Sequence, residues 1–217
     1  MAAENEVWIE APEVVRLFPS FVWKCRLRPE IHQPINTAIL NRLDEMRRGL
    51  PPLCRGEAWQ SGHGLHKREE LRGLVSCIDV AVNTVLTFLR VENRDVSITG
   101  CWANVNSPGA THGMHAHPNN FLSGVYYVQV QHGGDTINFH DPRAQAAVIR
   151  PPVTELTAYN TDQVVMAVSV GTLIVFPAWL LHSVHVNESE LARISISFNV
   201  MFTAFAQTMG QPLWGEQ

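Results

Sequence analysis

The sequence predicts a mainly β fold with flanking helices, of the jelly-roll or barrel kind. Three observations carry that prediction. From Asp95 onward the chain breaks into roughly eight short segments rich in β-branched residues. Before them, two longer stretches repeat their apolar residues at helical spacing. Glycine and proline punctuate the joins. Two helices followed by many strands suit helices packed on the outside of a β-sandwich.

Residues 6–28 carry scattered apolar positions, among them Val7, Ile9, Val14, Val15, Phe18, Phe21 and Val22, broken by Pro12 and Pro19. They read as two short strands with a bend. From 29 to 50, Ile31, Ile35, Ile39, Leu43 and Met46 recur at helical spacing. Pro34 fits only near a helix start, so the regular part is expected to begin there. Arg47 and Arg48 suit the C-terminal end of the dipole, and Pro51-Pro52 stops the helix. Residues 51–66 read as loop. Residues 67–91 read as a second long helix, with Leu71, Leu74, Ile78, Val82, Val85 and Leu89 on one face. Strands are expected at 96–104, 121–131, 136–140, 153–160, 163–168, 172–176, 182–187 and 192–205. His132-Gly133-Gly134-Asp135 reads as a hairpin turn.

At 217 residues the chain suits one domain, with 1–94 supplying strands and supporting helices and 95–217 the β core. It is 46% hydrophobic and 17% charged, enough to bury a core. The net charge of −4, with no basic run, gives no nucleic-acid signal. No signal sequence and no membrane span are expected. The cysteines Cys25, Cys54, Cys77 and Cys101 form no CxxC and read as free core thiols of a cytoplasmic protein. The long helices and strand edges could support a homodimer.

The residues that point to chemistry are histidines. His115-Ala116-His117 sets two imidazoles two apart. On an extended strand they share a face, and two neutral imidazoles can grip one divalent transition metal. His182 follows Leu173-Ile174-Val175-Phe176-Pro177 and could close the site. His112 lies three residues before His115, so this stretch holds three histidines in six positions. His32, His63, His66, His132 and His140 read as incidental or structural, and His185 as facing away from His182.

The stretch Arg193-Ile194-Ser195-Ile196-Ser197-Phe198-Asn199-Val200 alternates strictly between polar and apolar residues. Its polar face could be an ordinary wet surface. It could also line a lumen, with Arg193 and Ser195 gripping a carboxylate. Its place after Pro177-Ala178-Trp179-Leu180-Leu181-His182 favours the lumen.

Several motifs agree in order: Trp102-Ala103-Asn104, Gly109, His115-x-His117-Pro118, Ser123-Gly124-Val125-Tyr126-Tyr127-Val128, Phe139-His140-Asp141-Pro142-Arg143, Phe176-Pro177-x-Trp179-x-x-His182, and Arg193 to Asn199. Together they resemble the 2-oxoglutarate/Fe(II)-dependent oxygenases related to the prolyl-hydroxylase type, over about Trp102 to Phe202. The resemblance implies a double-stranded β-helix (cupin-like) buttressed by two long N-terminal helices, with metal ligands His115, His117 and His182. It implies that Arg193 binds the distal carboxylate of 2-oxoglutarate with help from Ser195, and that Asn104 and Tyr127 contact this cosubstrate. The implied activity is hydroxylation of a C–H bond with O₂, releasing succinate and CO₂.

One position departs from the family pattern. Where a carboxylate ligand is usual, this chain has His117. Either His117 is a ligand in a three-histidine site, or Asp135 or Asp141 completes the set. The first is expected, because i+2 on one strand needs no extra movement. The rival readings are a cupin-type metalloprotein that uses no 2-oxoglutarate and a non-catalytic metal-binding module, since three histidines also suit zinc.

Overall fold

The computed structural model describes residues 13–92, 94–143, 145 and 148–208. The strands are β1 (Trp23–Arg26), β2 (Ala58–Gln60), β3 (Val96–Asn106), β4 (His112–His115), β5 (Leu122–Gln129), β6 (Thr136–His140), β7 (Gln163–Ala167), β8 (Thr172–Pro177), β9 (His182–Val184) and β10 (Arg193–Phe202). Helices α1 (Pro29–Arg47) and α2 (Arg72–Phe88) precede β3, and a single turn, α3 (Thr203–Ala206), follows β10. One sheet runs β1-β8-β5-β10-β3-β2 and the other β4-β9-β6-β7. Pairing within both is antiparallel.

Alternation along the strands of the larger sheet divides two cores. Cys101, Ala103 and Val105 of β3, Tyr126 and Val128 of β5, and Ile196, Phe198 and Val200 of β10 pack against Ile39 and Leu43 of α1 and Leu74, Ile78, Val82 and Val85 of α2. The opposite face turns inward. Val125 and Tyr127 of β5 and Ile174 and Phe176 of β8 meet Ile137 and Phe139 of β6 in the smaller sheet. This inner layer is the lumen, and it gives way to polar residues where β3 and β10 line it. Gly124 permits the tight outer packing: a Cβ there would lie 2.1 Å from Cζ of Phe198 and 2.6 Å from the Ile174 carbonyl.

Several expectations need correction. Helix α1 begins at Pro29 and carries Pro34 inside it. His32 and Asn36 are among the residues it buries, whereas Ile31 is exposed. The Asn36 amide donates to the Val128 carbonyl and accepts from the Tyr126 hydroxyl, which ties α1 to β5. Helix α2 starts at Arg72 rather than 67, because 3₁₀ turns at Leu65–Lys67 and Glu69–Leu71 occupy the approach. The stretch Glu69–Phe88 is long and apolar enough to cross a membrane by length and composition, against the expectation. One face of it is nonetheless packed on the larger sheet.

Residues 153–160 form no strand. The Asn160 side chain accepts from the Thr157 N–H and donates to the Glu155 carbonyl, so a local turn captures the backbone groups a ladder would need. The turn at His132–Asp135 closes no hairpin: β5 lies in the larger sheet and β6 in the smaller. Gly133, at φ 88°, passes the chain from one sheet to the other. Within 51–66, read as loop, β2 adds an edge strand beside β3. The cysteines are free, but Cys101 alone of the four is buried. Of the two strands expected within 6–28, Val7 and Ile9 lie outside the described residues, and β1 is the strand observed.

Candidate active site

Three histidines converge at one end of the lumen. His115 ends β4 and pairs in register with His182 at the start of β9. His117 lies two residues past the strand. Pro118 has no N–H and restricts the residue before it, so the ladder stops there. The His117 N–H donates instead to the Ala178 carbonyl, 2.9 Å away in the turn before β9. The expectation that both histidines sit on one strand is therefore corrected, yet their rings still meet. One ligand atom from each of His115, His117 and His182 lies within 4.8 Å of the other two.

The backbone selects the tautomer of two of the rings. Nδ1 of His115 is 2.8 Å from the Gly113 carbonyl, and Nδ1 of His182 is 2.9 Å from the Leu180 carbonyl. A carbonyl only accepts, so in each neutral ring Nδ1 carries the proton and Nε2 keeps a free lone pair. His117 is held by stacking: it lies 5.1 Å from the His182 ring at 26° and 5.8 Å from Trp102. Phe176 packs edge-on to His182 at 4.7 Å. Burial lowers the pKa of His117 to about 4 and that of His182 to about 3, with neighbouring histidine charges adding to the effect. Both are neutral at physiological pH and ready to bind a cation without first losing a proton.

No carboxylate joins this triangle among the described residues. Asp135 is engaged elsewhere, accepting from the Gly133 N–H near exposed His132. Asp141 accepts from Nε and Nη2 of Arg143, which holds its carboxyl below the usual range. The alternative of an aspartate supplied by either is not found in this geometry.

Further along the same cavity lies Arg193, the first residue of β10. It is 5% exposed. Its Nη2 donates to the Tyr127 hydroxyl at 3.2 Å, and its guanidinium carbon sits 5.1 Å from the Tyr127 ring centroid. Its Nε is buried with no hydrogen-bond partner, and no carboxylate of a described residue lies within ion-pair distance. Burial pushes the Tyr127 phenol up while the Arg193 charge pulls it back, and it remains protonated. A guanidinium buried without an anion is costly, so this end of the cavity fits a ligand carboxylate.

Ser195 lines the cavity beside Arg193. Asn104 also lines it, but as the middle of a chain: Gln60 donates to its oxygen at 2.9 Å and its own NH₂ donates to Ser197 at 2.9 Å. Asn104 therefore has one N–H left to offer a ligand. Sequence reasoning missed Asn106 and Val184, which line the cavity. It also passed over His63, whose ring packs tilted against Trp102 at 4.6 Å. The bond from the Cys101 N–H of β3 to the His63 carbonyl, 2.8 Å, places that ring, and no local signal announces it. His140 bonds Ser183, and His185 lies near Gln163, both away from the triangle.

Residues 100–199 match the family model described as "Putative 2OG-Fe(II) oxygenase". Solved structures share the architecture. A prolyl hydroxylase from Trichoplax adhaerens, in complex with a hypoxia inducible factor oxygen degradation domain peptide, is 13% identical with a TM-score of 0.59, covering 88% of this chain and 87% of that one. A Pseudomonas putida prolyl-4-hydroxylase is 15% identical with a TM-score of 0.56, covering 84% and 92%. HygX from Streptomyces hygroscopicus, with nickel and 2-oxoglutarate bound, is 9% identical with a TM-score of 0.57, covering 85% and 83%. At these identities the likeness establishes the fold, a double-stranded β-helix. No curated protein is significantly similar in sequence.

Proposed function

Residues 100–199 belong to the 2OG-Fe(II) oxygenase family, and on that premise we propose that His115, His117 and His182 hold the Fe(II) while Arg193, Ser195 and Tyr127 hold 2-oxoglutarate. The observation that carries this reading is the buried Arg193, with an unpartnered Nε, in the cavity that also holds the histidine triangle. A metal-binding triangle alone would suit many proteins. A carboxylate receptor aimed into the same cavity suits a cosubstrate that carries a chelating 2-oxo acid at one end and a carboxylate at the other.

When bound together, Fe(II) and 2-oxoglutarate supply the oxidative chemistry: with O₂ and a C–H bond they give succinate, CO₂ and an alcohol. The chain's own residues have other work. The Gly113 and Leu180 carbonyls fix the proton on Nδ1 of His115 and His182, leaving Nε2 as donor. His115, His117 and His182 would hold the ion and would leave room on it for the cosubstrate. Arg193 and Tyr127 orient the cosubstrate by its far end. Phe176 and Ile137 wall the cavity and restrict water. Three neutral imidazoles would leave the full 2+ charge on a bound ion, which a dianionic cosubstrate would offset. Asn104, largely engaged by Gln60 and Ser197, serves as a weaker contact.

The test is binding and uncoupled turnover. Iron-loaded protein is titrated with 2-oxoglutarate and assayed for succinate without any second substrate. Binding with slow succinate release is the expected result. Stoichiometric metal with no response to 2-oxoglutarate would favour a metalloprotein of another kind, a reading that the absence of a carboxylate ligand among the described residues also suits.

A further inference from the structure

His112 and His115 are three residues apart, so on a regular strand their side chains would point to opposite faces. In this protein they stack, with ring centroids 4.7 Å apart and planes at 20°. The cause is in the ladder. Between the pairs His112↔Val184 and His115↔His182 the register shifts, so three steps on β4 oppose two on β9. That extra residue is a β-bulge, and it turns His112 to the inner face. His112 lines the cavity with Val184, Asn106 and Arg193. It is not part of the ligand triangle, and as a residue it is exposed.

We propose that His112 is a specificity-determining residue for the cosubstrate, hydrogen-bonding from its ring N–H to the distal carboxylate that Arg193 receives. This rests on the function proposed above. A carboxylate accepts up to about four hydrogen bonds. Arg193 has Nη2 engaged by Tyr127 and Nε free, so Nε, Ser195 and Tyr127 leave one position for a further donor. Stacking on His115 fixes the plane of the ring and leaves its polar edge free. Val184, paired opposite His112, faces the same cavity with an apolar side chain. That pairing suits a ligand with a hydrocarbon middle and an anionic end. Bulge and stack together then make His112 a gauge of ligand length, set on the smaller sheet across from Arg193 on the larger.

The experiment measures binding, not turnover. The full chain loaded with cobalt(II) is titrated calorimetrically with 2-oxoglutarate and with 2-oxobutyrate, which lacks the distal carboxylate. Metal content and thermal midpoint are recorded for each variant. His112→Phe keeps the stack and loses the N–H. It is expected to weaken 2-oxoglutarate about tenfold or more, to leave 2-oxobutyrate within about twofold, and to retain its metal. His112→Gln restores a donor and is expected to recover much of the loss. Unchanged 2-oxoglutarate affinity in His112→Phe overturns the proposal. So does an equal loss for both acids, which would mean the ring acts through His115. A native protein that binds neither acid overturns the cosubstrate reading itself, and this proposal with it.

Discussion

Arg193 and Tyr127 form a buried pair that satisfies only part of the guanidinium: Nη2 reaches the phenol at 3.2 Å while Nε has no partner. On the proposed reading the pair is a carboxylate receptor, held ready at a cost to the ligand-free protein. Arg193→Met should therefore raise the stability of the ligand-free protein, by about 1–4 kcal/mol. The same variant should lose the rise in melting temperature that 2-oxoglutarate gives the native protein. Thermal denaturation with and without 2-oxoglutarate reads both effects. A variant that melts lower and still responds to the ligand would contradict the assignment.

His117 is a member of the histidine triangle by geometry, and on the proposed reading it takes the place of a carboxylate ligand. His117→Ala should reduce iron affinity by more than about tenfold, with metal content measured after dialysis. His117→Asp should retain iron, because the shorter side chain still offers an oxygen donor. Unchanged metal content in the alanine variant would remove His117 from the ligand set.

The metal-free protein should be acid-sensitive. Burial holds His117 near a pKa of about 4 and His182 near about 3, below the ordinary 6.5. Below pH 6.5 the unfolded chain takes up these protons and the folded chain does not, so the unfolded state binds more and stability falls with pH. The loss should run from about 6.5 down to about 4 for His117 and continue to about 3 for His182. Urea midpoints of the metal-free protein between pH 7 and 4 test this. Replacing His182 by Asn should flatten the slope.

Gly124→Ala should destabilise the fold by more than about 1–3 kcal/mol, the range for an overpacked core, because its Cβ would collide with both Phe198 and the rigid Ile174 backbone. Phe198→Ala alone should cost about 3–5 kcal/mol. Combined, the two should cost less than their sum, since the smaller side chain makes room for the new methyl. Additive losses in denaturant titrations would show that the clash is with the backbone alone.

Much of the fold was readable because two periodicities are written directly in the chain. The helical repeat around Ile39, Leu43, Leu74 and Ile78 marks helices that pack one face on the sheet. The alternation from Arg193 to Val200 separates a lumen face from a helix-covered face. The reading failed where local hydrogen bonds or distant partners decide. Asn160 captures the backbone of an otherwise strand-like segment. Gly133-Gly134 marks a turn correctly but cannot say whether the next strand returns to the same sheet.

For the site, the sequence by itself determined the donors: two imidazoles close in the chain, a third after a buried run, and an arginine heading an alternating strand. Residue chemistry is local, and so it is visible in the order of residues. Only the tertiary structure decided which donors meet. It kept Asp135 and Asp141 away from the triangle and, among the described residues, left Arg193 without a carboxylate. It also turned His112 inward through a single extra residue in β4. Strand register and sheet-to-sheet packing are relations between distant segments. No pattern within one segment encodes them.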